Sequence, residues 1–131
     1  MQITRHHPDS HTGPSPWFTG EAWIEEIAAP PSPSRLRVSS VTFTPGARTV
    51  WHRHPAGQVL HVTAGAGLVQ RAGSPIEEIS AGDTVWIEPA EWHWHGAGPR
   101  TLMTHLAVQE TDADGVAADC GQPVDAADYP T

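Results

Sequence analysis

Apolar and polar positions alternate with a period of two through the middle of the chain, and no segment sustains the three-to-four-residue spacing of an amphipathic helix. Short runs rich in β-branched and aromatic residues stand between Gly, Pro and Asp. Those at 21–27 (EAWIEEI), 35–43, 48–54, 58–65, 67–73, 76–79, 83–88, 92–96 and 101–110 are read as strands. The connectors TPGA (44–47), RAGSP (71–75), SAGD (80–83) and AGPR (97–100) have tight-turn composition. So many short strands predict an all-β barrel or sandwich. Residues 1–37 are expected to form an N-terminal arm and edge strand, with AAPPSPS (28–34) as a rigid loop, and 38–110 the barrel core. Residues 111–131 read as an acidic, Ala-rich tail in which VDAADY predicts one short helical turn capped by Asp125, and no chemistry is assigned to it.

A chain of 131 residues suffices for one core, so a single domain is expected. The net charge is −8 and seven scattered arginines, with no lysine, are the only fixed cations, which argues against nucleic acid as a partner. No apolar run reaches the roughly 18 residues of a membrane span, and the N-terminus lacks the apolar region of a secretory signal. A cytoplasmic protein without membrane partners is expected. Cys120 is the only cysteine, which rules out an intrachain disulfide and a thiolate cluster, so any metal must be held by nitrogen and oxygen.

That restriction gives weight to the nine histidines. His6, His7 and His11 fall in the Pro/Ser/Gly-containing arm and read as solvated. In an extended strand alternate residues share a face. His52 and His54 therefore project together, as do His93 and His95, while Trp51, Trp92 and Trp94 have the opposite parity and read as core or subunit contact. Gln58 opens the next strand, where antiparallel pairing would bring its amide alongside the first pair. His61 is out of phase with Gln58 and should face away.

From Gly46 five residues lead to His52-Arg53-His54, three more to Gln58 and six more to Gly65; His93 follows Gly82 by eleven positions. This spacing resembles the cupin superfamily over about residues 38–110. The resemblance implies a jelly-roll-type barrel, the double-stranded β-helix, and places His52, His54, Gln58 and His93 at its four metal-ligand positions. Gln58 stands where that family most often has glutamate, and EPAEWH departs from the second motif at Pro89 and Ala90. Three imidazoles and an amide leave a divalent ion its full charge, making it a stronger Lewis acid and disfavouring its oxidation. A metal-free, purely structural barrel is the competing reading of the same residues.

WFTG (17–20), FTPGARTVWHRHPAGQ, IEEISAGDTVWIEPAEWHWHG and MTHLAVQE further resemble small bacterial single-domain cupins that include the manganese-dependent hydroxynitrile lyases. In those, three histidines and a glutamine hold the metal. The resemblance implies reversible addition of cyanide to an aldehyde, with manganese as the expected ion; iron, nickel, zinc or copper would also suit these donors. His95 and His105 are the candidate proton carriers, and Gln109 shares the face of His105. A small-molecule substrate and a homodimer or higher homo-oligomer are expected, with the N-terminal segment available for exchange. An oxygenase of the quercetin-dioxygenase kind and a non-catalytic small-molecule-binding cupin are the alternatives.

Overall fold

The computed structural model describes residues 1–131 and contains strands but no helix. In chain order the strands are β1 (Ser10–Thr12), β2 (Phe18–Thr19), β3 (Ala22–Ala28), β4 (Leu36–Phe43), β5 (Arg48–Thr49) and β6 (His52–Arg53). They continue with β7 (Gln58–Arg71), β8 (Glu77–Ser80), β9 (Thr84–Ile87), β10 (His93–Ala97), β11 (Met103–Glu110) and β12 (Asp119–Cys120). All pairings are antiparallel. One half of the sheet runs β1-β3-β4-β11-β7-β9, and the other groups β8, β7, β10, β5 and β2, with β6 between β10 and β12. No helix is long and apolar enough to cross a membrane.

β7 belongs to both halves and is the hinge of the curl. Its first residues pair with β11 and β9, and its last with β10 and β8. The sequence reading splits this segment at Gly65–Gly67, whereas hydrogen bonding runs through it as one 14-residue strand. Gly65 makes the corner: its φ is +73°, and a Cβ there would collide with the carbonyl oxygen of Leu102. Sequence patterning detects the glycine but not that the ladder continues past it.

The opposite difference occurs at 48–54, where one expected strand is two short ones. The backbone N–H of Val50 donates to Trp17 O (3.0 Å) and that of Trp51 to Gln122 O (2.9 Å). Partners from the two termini replace the barrel strand for those two residues. The strand expected as an edge at 21–27 is internal, since β3 lies between β1 and β4, whereas β1 and β2 of the same N-terminal segment stand at the two ends of the strand order.

The principal core joins Phe43, Val62 and Met103, all without solvent exposure, to Val41, Val69 and Ile79. A second core packs Trp94 and Leu68 against Val124 and Tyr129 of the tail. Trp94 is fully buried and its indole N–H donates to Gln70 Oε1 at 2.7 Å, which removes the cost of burying that donor. The tail is thus anchored in the molecule. Residues 125–129 make a single turn in which Asp125 Oδ1 accepts from Ala127 N (2.9 Å) and Asp125 O from Tyr129 N (3.2 Å).

Candidate metal centre

The pairing of β6 with β10 sets His52 directly opposite His93, so the two H-x-H pairs meet across one ladder. His52, His54, His93 and His95 are all buried, and their rings crowd together: centroids of His52 and His93 are 4.2 Å apart, of His52 and His54 5.1 Å, and of His52 and His95 5.2 Å. Gln58 faces Gln109 across the β7–β11 ladder and donates its amide N–H to Gln109 Oε1 (3.1 Å), which turns Gln58 Oε1 toward the histidines. His105 reaches the group from β11, with its Nε2 2.9 Å from His95 Nδ1. His61, as expected, is elsewhere: its ring meets Thr84 Oγ1 and takes no part in the cluster.

Tautomers follow from the acceptors. His52 Nδ1 donates to Val50 O (2.8 Å), His54 Nδ1 to Ala117 O (2.7 Å) and His93 Nδ1 to Glu91 O (2.8 Å). A carbonyl only accepts, so each Nδ1 carries the proton and each Nε2 is a lone pair. Burial, reinforced by the neighbouring His93, pushes the His52 pKa down to about 3; burial takes His93 down to about 4 and lowers His54. His105 falls to about 4 and His95 well below its ordinary value, again chiefly by burial. Neutral imidazoles with free Nε2 lone pairs are what a metal ion requires.

The donor set fits a cation on two further observations. His54 Nε2 and His95 Nε2 are buried with no hydrogen-bond partner. Moreover, His93 Nε2 lies 3.1 Å from Gln58 Oε1, so two acceptors face each other. A shared positive charge satisfies such a pair, and an isolated pair of lone pairs is repulsive. Ligand nitrogens of His52, His93 and His95 all lie within 4.8 Å of one another, whereas the three imidazoles whose tautomers are fixed by carbonyls are His52, His54 and His93.

A cavity of about 390 Å³ opens from this cluster. His52, His54, Gln58, His95, His105 and Gln109 form its polar end, Phe18, Ile24, Val41, Phe43, Val50 and Ala107 its apolar wall, and no carboxylate lines it. At its rim stand Trp17 from the N-terminal segment and Ala117, Ala118 and Cys120 from the tail. The expectation of a tail without chemistry is corrected here, since it supplies both rim residues and the acceptor for His54. Val124 and Tyr129, bulky side chains in an acidic, Ala-rich segment, are the sequence signal for this. Trp51, Trp92 and Trp94 are absent from the cavity, as their parity implied, but the aromatic pair Trp17-Phe18 does line it.

Residues 39–104 match the family model described as the cupin domain. An (R)-mandelonitrile lyase of Granulicella tundricola is 56% identical over 110 residues, which cover 84% of this chain and 83% of the relative. Among solved structures, a cupin-like protein from Thermotoga maritima superposes with a TM-score of 0.85 at 34% identity, covering 98% of this chain and 95% of its own. A polyketide cyclase from Streptomyces resistomycificus shares the fold at a TM-score of 0.72 and 19% identity, over 95% of this chain and 83% of its own. Family model, relative and barrel agree that this chain belongs to the cupin domain family.

Proposed function

We propose that this cupin is a metal-dependent hydroxynitrile lyase that cleaves a cyanohydrin to an aldehyde and hydrogen cyanide. The observation that carries the reading is the convergence of imidazole Nε2 lone pairs and Gln58 Oε1 at the polar end of an otherwise apolar cavity. The name of the Granulicella tundricola relative supports the reaction class. His52, His54, His93 and Gln58 are assigned as ligands of a divalent ion, manganese in the first instance. His95 is left out of the ligand set because its Nδ1 meets another histidine rather than a carbonyl, so its proton can change nitrogen.

When bound, the ion acts as a Lewis acid that acidifies the substrate hydroxyl. The chain's own residues then handle one proton. His95, with Nδ1–H donated to His105 Nε2, presents its Nε2 lone pair to the cavity and accepts the hydroxyl proton. The carbon–cyano bond breaks with its electron pair leaving on cyanide, the oxygen electrons close the carbonyl, and the proton at His95 passes to cyanide. Gln109 holds the Gln58 amide in orientation, and the Phe18/Val41/Phe43 wall receives the aldehyde's apolar group and excludes water. The volume suits a substrate of about one ring.

The test is elemental analysis of the purified protein, then cleavage of racemic mandelonitrile by the manganese-reconstituted enzyme. Benzaldehyde release should vanish in the metal-stripped protein and in Gln58→Ala. His54→Ala should lose metal, whereas His95→Ala should retain it and lose turnover. Bound metal without benzaldehyde release would refute the lyase reading and direct the search to oxygen uptake.

The outer face of the first half-sheet supports a second proposal, self-association. Val38, Val108, Val59 and Trp86 lie in one register row across four strands, and Trp86 and Trp23 are exposed. A second copy stacked on this face would cover them. Light scattering should give twice the chain mass, and Trp86→Glu should return it to the monomer value.

A further inference from the structure

The three histidines with fixed tautomers obtain their acceptors differently. For His52 and His93 the carbonyl lies two residues earlier on the same run, at Val50 and Glu91. For His54 the corresponding residue would be His52, which is itself engaged in the ladder with His93 and Cys120. The acceptor comes instead from Ala117, 63 residues away.

What holds Ala117 there is a strap fastened at three points. Asp119 and Cys120 pair with Arg53 and His52, and the Asp119 carboxylate meets the Arg53 guanidinium at 2.9 Å. Gly121 N donates to Trp51 O (2.7 Å), and Trp51 N to Gln122 O (2.9 Å). Beyond these, Val124 and Tyr129 are buried against Trp94; the Tyr129 hydroxyl donates to Ala97 O (2.7 Å), its ring lies 4.2 Å under the Arg48 guanidinium, and Arg48 Nη2 donates to Val124 O (3.3 Å). An exposed ion pair and a two-residue ladder would hold weakly alone. The buried buckle of Tyr129, Val124 and Arg48 is the strong fastening.

We propose that the C-terminal strap, residues 117–129, is a positioning element of the metal centre: its buckle holds the Ala117 carbonyl where it fixes His54 in the Nδ1–H tautomer, leaving Nε2 free as a ligand. The ligand role rests on the function proposed above, but the hold on the tautomer does not. Tyr129, Val124 and Arg48 touch no ligand; they act on His54 through the backbone at Ala117.

The experiment uses the full-length, metal-free protein with 15N-labelled histidine, whose long-range 1H–15N correlations report each ring's tautomer, together with the dissociation constant for Mn²⁺ alone. In wild type, His54 should be a single Nδ1–H tautomer. Tyr129→Ala should turn His54 into a tautomer mixture while His52 and His93 stay fixed, and should weaken Mn²⁺ binding about 10-fold or more, the usual cost of losing a ligand's outer partner. Tyr129→Phe, which keeps the ring and removes the hydroxyl, should shift both readouts in the same direction by less, and serves if the alanine variant does not fold. Ile79→Ala, a core truncation on β8, should lower stability and leave both readouts unchanged. An unchanged His54 tautomer and Mn²⁺ affinity in the Tyr129 variants, or an equal change in Ile79→Ala, would overturn the proposal. A fixed tautomer in a wild-type protein that binds no Mn²⁺ would uphold the strap and refute the metal centre.

Discussion

Acidifying the metal-free protein should unfold it well above the pH at which carboxylates alone would. His93 and His105 are each held near pKa 4 by burial, against an ordinary 6.5, and His52 near 3. Depressed values mean that the unfolded chain binds these protons first, so the stability they contribute is full above about pH 6.5 and is lost as pH falls toward 4. Each of the first two is worth roughly 3 kcal/mol at about 1.4 kcal/mol per tenfold change in proton affinity. Together they rival the about 5–15 kcal/mol that holds a small domain folded. These three rings alone should make stability fall by about 4 kcal/mol per pH unit where all of them titrate, and His54 and His95, lowered in the same direction, steepen the fall. Urea unfolding followed by tryptophan fluorescence in chelator, from pH 7.5 to 4.5, measures this slope, since Trp94 is buried in the core. His105→Gln should reduce the slope by about 1.4 kcal/mol per pH unit. Bound Mn²⁺ should move the acid limb to lower pH, because the ion competes with protons for the same lone pairs. A stability that stays flat between pH 6.5 and 4.5, or an unaltered slope in His105→Gln, would refute the picture of neutral buried imidazoles.

Other consequences are as direct. Gln58→Glu places a carboxylate in the ligand set; Mn²⁺ should bind about tenfold tighter or more by titration, while mandelonitrile turnover falls because the ion's charge is partly neutralised. Trp17→Ala removes an aromatic face from the rim and should raise KM for mandelonitrile about 2- to 12-fold, with Mn²⁺ affinity and kcat unchanged, as steady-state kinetics and calorimetry will read. Gly65→Ala forces a side chain into a left-handed conformation against Leu102 O, costing at least about 1–2 kcal/mol, so the thermal midpoint should drop by about 5 °C or more.

The strands and the histidine cluster were legible in the sequence for one shared reason: both depend on a period of two. Alternation puts His52 with His54 and His93 with His95, and once two such strands pair, the imidazoles meet whatever the connecting turns do. Trp94 and His61 were placed on their faces by the same parity. Relations between segments distant in sequence were not legible. Periodicity says nothing about Trp17 O reaching Val50 N, nor about Ala117 O reaching His54, since a backbone carbonyl has no residue signature. The tautomers were hidden for that reason too, and with them the difference between His54, whose Nδ1 meets a carbonyl, and His95, whose Nδ1 meets another imidazole.

A division of labour follows from where these parts come from. Ladder register between β6 and β10, and between β7 and β11, fixes His52, His93, Gln58 and Gln109, and a one-residue slip in either ladder would turn the slipped strand's residue outward. The cavity rim is made by the two termini, which meet at consecutive residues, Val50 and Trp51, next to His52. Segments at a rim are constrained by a few hydrogen bonds and an apolar anchor, so their side chains can vary without disturbing the ladders. The spacing of histidines along the chain therefore constrains the candidate metal donors far more tightly than the group that enters the cavity beside them. Under the proposed lyase function, replacing Trp17 or Ala118 should alter which aldehyde group the cavity accommodates, whereas moving His52 by one position would break up the histidine cluster.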